Sequence, residues 1–413
     1  MPLNREDVTP IPGGVLAAQG FVGAGVASGI KVPGKLDVAL IHSLYPCAAA
    51  ATLTTNRMRS VTCDINENHV RDGRARTIVA NSGNANACTG SEGFAHARRM
   101  VDLAAEATGV GHREVLVCST GVIGIQLPMD KIEPGIRAAG QQLSADNGEQ
   151  VARAIMTTDT MPKLSAYEFE IGGKTVRLGG IAKGAGMIEP GMATMFCFVT
   201  TDAAIEASLL RHLLRQCVNV SFNRISVDGS QSTNDTVAVL ANGQAGNAPI
   251  QPGSPEADLF RAALRQVTTD LAQMIVRDGE GVSKFIEIKV TGARDDHEAD
   301  RLARAIANYN LVKTAVFGED FNWGRIAAAV GAAGVPFDRD EIEISLAGLT
   351  VWAAGEPVPF DGFAAEEAMK ARDIAVDIAL QRGGGEATLW AADLTTDYVH
   401  FNADREHKPG AKV

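Results

Sequence analysis

Aromatic residues are scarce in this chain, 5% of 413, and none of its six cysteines forms a C-x-x-C pair. Positive charge is also in deficit: 38 lysines and arginines face 49 aspartates and glutamates, a net charge of −11. That sign argues against a general binder of nucleic acid or anionic membrane and leaves small molecules as the expected partners. The best candidate for a long apolar run, Val15 to Val32, is thinned by glycines and broken by Gln19 and Lys31, so no transmembrane segment is predicted. The N-terminus lacks the basic-then-apolar order of a secretory signal, and a cytoplasmic protein is the expectation. Cys47, Cys63, Cys88, Cys118, Cys197 and Cys217 then read as reduced, buried thiols. No phosphate-binding G-x-x-x-x-G-K-[ST], no H-E-x-x-H, no G-x-S-x-G and no metal-spaced histidines occur. Neither a metal nor a bound cofactor is predicted.

What is present is a long chain, enough for two or three domains, with 43 glycines and a near-average share of apolar residues. Tyr167, Phe169 and Ile171 alternate up to Gly172-Gly173, and Val176 and Leu178 return, which is a hairpin by period and turn chemistry. Ile286, Ile288 and Val290 alternate likewise, and Ile374 to Leu380 run through Gly383-Gly384-Gly385 into Leu389-Trp390 as a further hairpin signal. Helical stripes lie between: Met100, Leu103, Ala104 and Ala107 before Gly109, and Phe260 to Ile275 after a Ser254 cap. The class is therefore mixed α/β with prominent antiparallel pairing. Ala241 to Pro255 reads as a connection, and a boundary is predicted near Thr291-Gly292.

Chemistry concentrates in loops of small polar residues at strand ends. Thr77 to Ala80 opens into Asn81–Gly90, and Val115 to Cys118 opens into Ser119–Gly124. Such loops either expose backbone N–H groups of the kind that build oxyanion holes or serve as ordinary turns. A third loop, from Gly179 to Ala193, is rich in glycine and delivers Thr194 to the buried run Met195–Val199. A threonine so placed either begins a strand or attacks the preceding carbonyl in an N-to-O acyl shift, for which the small Ala193 and Gly191 leave room. Hydrolysis of that ester would make Thr194 a new N-terminus whose amine, with an ordinary pKa of roughly 7.7–8.0, can serve as base for its own hydroxyl.

The stretch Lys183 to Met195 closely resembles the self-cleaving segment of the ornithine acetyltransferase family, also called bifunctional glutamate N-acetyltransferase. Further blocks resemble it in the same order: Thr54–Arg57, Asn81–Gly90, Ser119–Gly124 with Leu127–Met129, Ile155–Thr160, Ser232–Thr236, Arg277–Gly281, Leu311–Ala315 and Asn322–Arg325. The match covers about residues 30 to 402. It implies a layered α/β sandwich of two unequal domains and a threonine-nucleophile acetyltransferase of arginine biosynthesis. The implied enzyme cuts itself between Ala193 and Thr194 into an α segment (1–193) and a β segment (194–413), held together noncovalently, two of each. Within the β segment, 194–290 would complete the main domain and 291–413 would form the smaller one. The α segment holds 18 basic and 18 acidic residues, so the −11 lies wholly in the β segment and offers no attraction between them. Buried apolar surface must hold them.

By the resemblance, Thr194 takes acetyl from N-acetylornithine and passes it to glutamate. Thr120 and Gly121 match the oxyanion pair, and Thr157, Lys183, Glu280 and Asn402 match substrate-contacting positions. Acetyl-CoA is a second conceivable donor that the sequence does not decide. Gly191 stands where the family usually has Asn, Ser230-Gln231 where it has Asp-Thr, and Asn308-Tyr309-Asn310 precedes Leu311 where Ser-Pro is usual. His407 occupies the spacing of a closing threonine that contacts substrate in the family. Two other readings stay open on the sequence: a hydrolase of the same wider superfamily using the same threonine, and a non-catalytic small-molecule binding protein.

Overall fold

The structure, a computed structural model, describes residues 8–189 and 195–403. Its residues fall into two compact units. The first comprises residues 8–187, 195–223 and 231–275; the second comprises 276–403 together with Ile188, Glu189 and 224–230. The layered mixed α/β class is as expected. Thr291-Gly292 lies inside the strand Phe285–Ala293, and the units divide between Ile275 and Val276.

Two sheets stack in the first unit. One has six strands in the order Thr9–Pro10, Lys163–Ile171, Lys174–Lys183, Phe196–Thr201, Thr236–Ala241 and Ala48–Leu53. The other has four: Phe21–Val26, Val38–Ser43, Thr77–Asn84 and Val115–Val122. The predicted hairpin forms, with Glu170 opposite Thr175 and both turn glycines at positive φ (57° and 72°), the conformation a two-residue turn between twisted strands requires. Between the sheets lies a core that includes Ile78, Ala80, Leu116, Ile181, Phe196 and Phe198, the last two stacked at 5.5 Å. Burying each such ring contributes about 1.5–3 kcal/mol. Val79 and Val117 point the other way, into a second core with Met100, Leu103, Ile132 and Ile136 from the helices Gly90–Thr108 and Met129–Gln141. Covered on both faces, the strands Thr77–Asn84 and Val115–Val122 are parallel, and for that reason their sequence is a run rather than an alternation. The helix Pro255–Arg277 covers the far face of the six-stranded sheet, its Phe260 ring edge-on to Phe169 at 6.4 Å.

The second unit is a seven-stranded sheet with one core. Ile286, Ile288, Val290, Ile374, Val376 and Ile378 pack there against Leu302 and Ile306 of the helix Asp296–Ala307 and Val330 of Trp323–Ala332. The strand Asp373–Leu380 alternates exposed and buried without a break. Its predicted hairpin with Gly385–Ala392 does not form, because Phe285–Ala293 runs between the two, parallel to the first and antiparallel to the second. The connection steps over that middle strand, and the N–H groups of Arg382 and Gly383 donate to the Gly292 carbonyl. A Cβ on Gly385 would sit 2.2 Å from the Asp295 carbonyl carbon, and one on Gly383 2.7 Å from the Ala293 carbonyl oxygen, so these two glycines serve a close crossing rather than a tight turn. The cysteine reading also needs one correction. All six thiols are free and five are buried, but Cys88, in a left-handed turn at φ 59°, is exposed.

Candidate active site

In the first unit, four strand ends carry the polar residues. Lys183 closes the strand Lys174–Lys183, Met195 leads into Phe196–Thr201, Asp235 leads into Thr236–Ala241, and Thr120-Gly121 lie near the end of Val115–Val122. Thr120 falls on the face of its strand shared by Leu116 and Cys118, as Lys183 shares a face with Ile181, so both side chains enter the layer between the sheets. There the Lys183 ammonium Nζ donates to Thr120 Oγ1 at 3.4 Å, and both residues are nearly inaccessible, at 2% and 3% exposure. Gly121 adopts φ 136°, and a Cβ there would meet the Gly83 carbonyl carbon at 2.3 Å; no other residue fits between these strands.

Asp159 organises this end of the unit, although the sequence reading did not single it out. Its Oδ1 accepts from Lys163 Nζ at 2.6 Å and from the Gly184 N–H at 2.7 Å, while Oδ2 accepts from the Thr157 N–H at 2.9 Å. One carboxylate thus fixes the backbone at Thr157 and next to Lys183. Burial alone would raise its pKa; the charges of Lys163 and Lys183 and the Gly184 N–H outweigh that and hold it at about 2. The only sequence signal was a lysine four residues on. Lys31 Nζ donates to the carbonyl of Met156 at 2.9 Å, and burial lowers its pKa to about 8 against the pull of Asp37.

Asp235 is fully buried beside Met195. Its Oδ1 accepts the Met195 N–H at 2.8 Å, and its Oδ2 has no hydrogen-bond partner among the described residues. Burial raises its pKa well above the carboxylate range, opposed by the Met195 N–H, by the nearby Lys183 charge and by Ser232. The asparagines of the neighbouring loops are structural. Asn234 Nδ2 bridges the carbonyls of Ala85 and Ser119 at 2.5 and 2.6 Å, Asn84 Nδ2 holds those of Ile125 and Gln126 at 3.0 Å, and Asn86 Nδ2 holds that of Gly93 at 2.9 Å. The two loops are also stitched directly, Ala85 N–H to Val122 O and Gly124 N–H to Ala87 O.

Glu280 and Asn402 meet in the second unit, 122 residues apart in sequence. Asn402 Nδ2 donates to Glu280 Oε2 at 3.0 Å and to Tyr398 O at 3.1 Å, from the helix Thr396–Ala403. Gly281 makes the approach possible: at φ 67°, a Cβ on it would meet the Tyr398 nitrogen at 2.4 Å. Thr120, Gly121, Thr157 and Lys183 are therefore gathered in one unit, and Glu280 and Asn402 in the other. Gly191, Ala193, Thr194 and His407 lie outside the described residues. Among the described residues no group of acidic, histidine and cysteine side chains is arranged to hold a metal ion, and no helix is long and apolar enough to cross a membrane.

A model of the ArgJ family matches residues 22–406. The arginine biosynthesis bifunctional protein ArgJ of Symbiobacterium thermophilum is 50% identical over 394 residues, 95% of this chain and 98% of that protein. Among solved structures, the corresponding protein of Bacillus halodurans is 42% identical, with a TM-score of 0.49, over 50% of this chain and 97% of that one. The ornithine acetyltransferase of Mycobacterium tuberculosis, solved with ornithine, is 40% identical, with a TM-score of 0.42, over 44% and 98% respectively.

Proposed function

The chain belongs to the ArgJ family and transfers acetyl groups in arginine biosynthesis, and from that premise we propose that the transfer runs through Thr194 after the chain has cut itself between Ala193 and Thr194. The observation that carries this reading is the meeting of Lys183 and Thr120 at the strand ends flanking Met195, the residue bonded to Thr194. In the cut enzyme the Thr194 amine takes the proton of its own hydroxyl, and the oxygen attacks the acetyl carbonyl of N-acetylornithine. The Thr120 hydroxyl and the Gly121 N–H stabilise the negative oxygen that develops, a role in which each donor is worth on the order of 10²–10³ in rate. Lys183, a buried cation, keeps the amine unprotonated near neutral pH by like-charge repulsion and pairs with substrate carboxylate. Ornithine departs, glutamate enters, and its amine takes the acetyl group by the same steps in reverse order. Thr157, Glu280 and Asn402 hold the amino-acid ends of the substrates.

On this reading the working enzyme consists of segments 1–193 and 194–413, two of each, in the cytoplasm, and needs no cofactor. The relatives are described as bifunctional, and we read the second activity as acetylation of glutamate from acetyl-CoA on the same threonine. Intact mass spectrometry tests the cut. The 43.3 kDa chain should give fragments of roughly 20 and 23 kDa, each within ordinary domain sizes, the larger beginning at Thr194. Thr194→Ala should stay one folded, inactive chain. Steady-state lines for varied N-acetylornithine and glutamate should be parallel, the pattern of a covalent intermediate. A fully active uncut chain, or intersecting lines, would refute the reading.

A further inference from the structure

In a chain with a net charge of −11, the first unit contains a cleft of about 520 Å³ whose walls carry Arg59, Arg71, Arg211 and Arg215 and a single carboxylate, Glu67. Arg59 is already neutralised: its Nε donates to Asp64 at 2.8 Å and its Nη2 to Glu67 at 2.5 Å. The other three arginines have no carboxylate partner among the described residues. Arg211 and Arg215 stand four apart on the helix Ala207–Asn219 and so share a face. Arg211 Nη2 is held by the carbonyls of Val70 at 3.2 Å and Arg71 at 3.4 Å, which orders that guanidinium before any ligand arrives. The Thr52 hydroxyl, on the same wall, is buried with no hydrogen-bond partner among the described residues.

Three unpaired guanidiniums in one concavity call for more negative charge than an amino acid brings, and the planar fork of arginine matches phosphate oxygens. The cleft also leads to the reacting end of the sheet. It follows the edge strand Ala48–Leu53 to Thr54 and Thr55, and the Thr54 N–H donates to the Asp235 carbonyl at 3.0 Å. Leu53 faces Thr236, which faces Phe196, so the cleft ends two strands, about 10 Å, from the strand that begins next to Met195. The arm joining the phosphates of coenzyme A to its thioester is longer than that.

We propose that Arg71, Arg211 and Arg215 bind the phosphates of acetyl-CoA and so make this cleft the docking site of the second acetyl donor. The proposal rests on the Thr194 reading. The step it serves is balanced: the acetyl carbon leaves sulfur for the threonine oxygen, and the thiolate takes the proton that the hydroxyl gives up. N-acetylornithine carries no phosphate and does not use the cleft.

The test is a double variant, Arg71→Ala with Arg215→Ala, both exposed positions outside the reacting site, compared with wild type in the cut holoenzyme. With glutamate as acceptor, the KM for acetyl-CoA should rise about tenfold or more per arginine removed, while kinetics with N-acetylornithine stay unchanged. Adenosine 3′,5′-bisphosphate should compete with acetyl-CoA, and acetyl-pantetheine, which lacks the phosphates, should not distinguish variant from wild type. If the double variant loses activity with both donors alike, or with neither, the assignment is overturned. Displacement of the bisphosphate by equimolar inorganic phosphate would mark a simple anion site and overturn it as well. Should wild type bind the bisphosphate, and the variant not, while acetyl-CoA gives no product, the cleft assignment stands and the second-donor reading falls.

Discussion

The two groups of site residues are built in opposite ways. Thr120, Lys183 and Asp159 are buried and bound to one another or to shared backbone, with Lys163 and Asp159 fully enclosed as an ion pair. Glu280 is half-buried and Asn402 exposed in the second unit, and a hydrogen bond joins their side chains. On the proposed function the contrast separates two kinds of work. Groups that stabilise developing charge must be in place before substrate arrives, and burial strengthens them. On the proposed reading, the groups that grip two amino acids of different length, ornithine and glutamate, gain from side chains that can move.

The strongest way to break this comparison is to remove the buried hub. Asp159→Asn leaves Lys163 enclosed without its counter-charge and should cost about 3–5 kcal/mol in urea unfolding. Replacing both partners, Asp159→Leu with Lys163→Met, should recover most of that stability but not activity, because Thr157 and Gly184 lose their common acceptor. If the double variant is active, the hub serves stability alone. Next comes Gly121→Ala. Forcing a Cβ against Gly83 shifts the backbone donor, so kcat should fall on the order of 10²–10³-fold with the KM for either substrate little changed. A loss expressed mainly in KM would place Gly121 in binding instead.

Acid sharpens the contrast further. The Asp159 pKa is depressed in the folded state, so its contribution is present above the ordinary value near 3.8 and is lost as pH falls towards about 2. Between pH 4 and 2 the wild type should lose roughly 2 kcal/mol more than Asp159→Asn does, read from urea curves at each pH. Equal losses would mean that other carboxylates dominate. The smallest effects belong to the Glu280–Asn402 pair. Glu280→Gln should raise KM for N-acetylornithine about tenfold with kcat nearly constant, and Asn402→Ala only a few-fold, the pattern of lost uniform binding.

Much of the main sheet was legible because local rules decide it: Gly172-Gly173 between alternating runs leaves a chain little choice but a hairpin. The Gly383–Gly385 turn looked the same and was not, because an intervening strand from 90 residues earlier is invisible to local pattern. The residues given reacting roles on the proposed function came from resemblance and not from local pattern. Asp159 was not legible, since its importance lies in which backbone groups surround it after folding, and an aspartate in a polar loop carries no mark of that. Asp235 and Lys31 escaped for the same reason. The loop asparagines carried no local mark of their work either: Asn84, Asn86 and Asn234 are buried and bonded to backbone carbonyls of these loops and their flanking segments.

The six-stranded sheet draws its neighbours from both sides of position 194. Lys174–Lys183 lies beside Phe196–Thr201, and Ala48–Leu53, from far earlier, closes the edge beside Thr236–Ala241. In the intact chain these pairings form within one molecule, at the high effective concentration that a tether provides. If the chain is cut between Ala193 and Thr194 as proposed, the same pairings become an encounter between two chains, each with an unfinished sheet and exposed strand edges. An enzyme so cut can be assembled easily only once, at birth. On that reading its survival is a matter of how slowly it comes apart, since recovery from unfolding would depend on dilution and compete with aggregation.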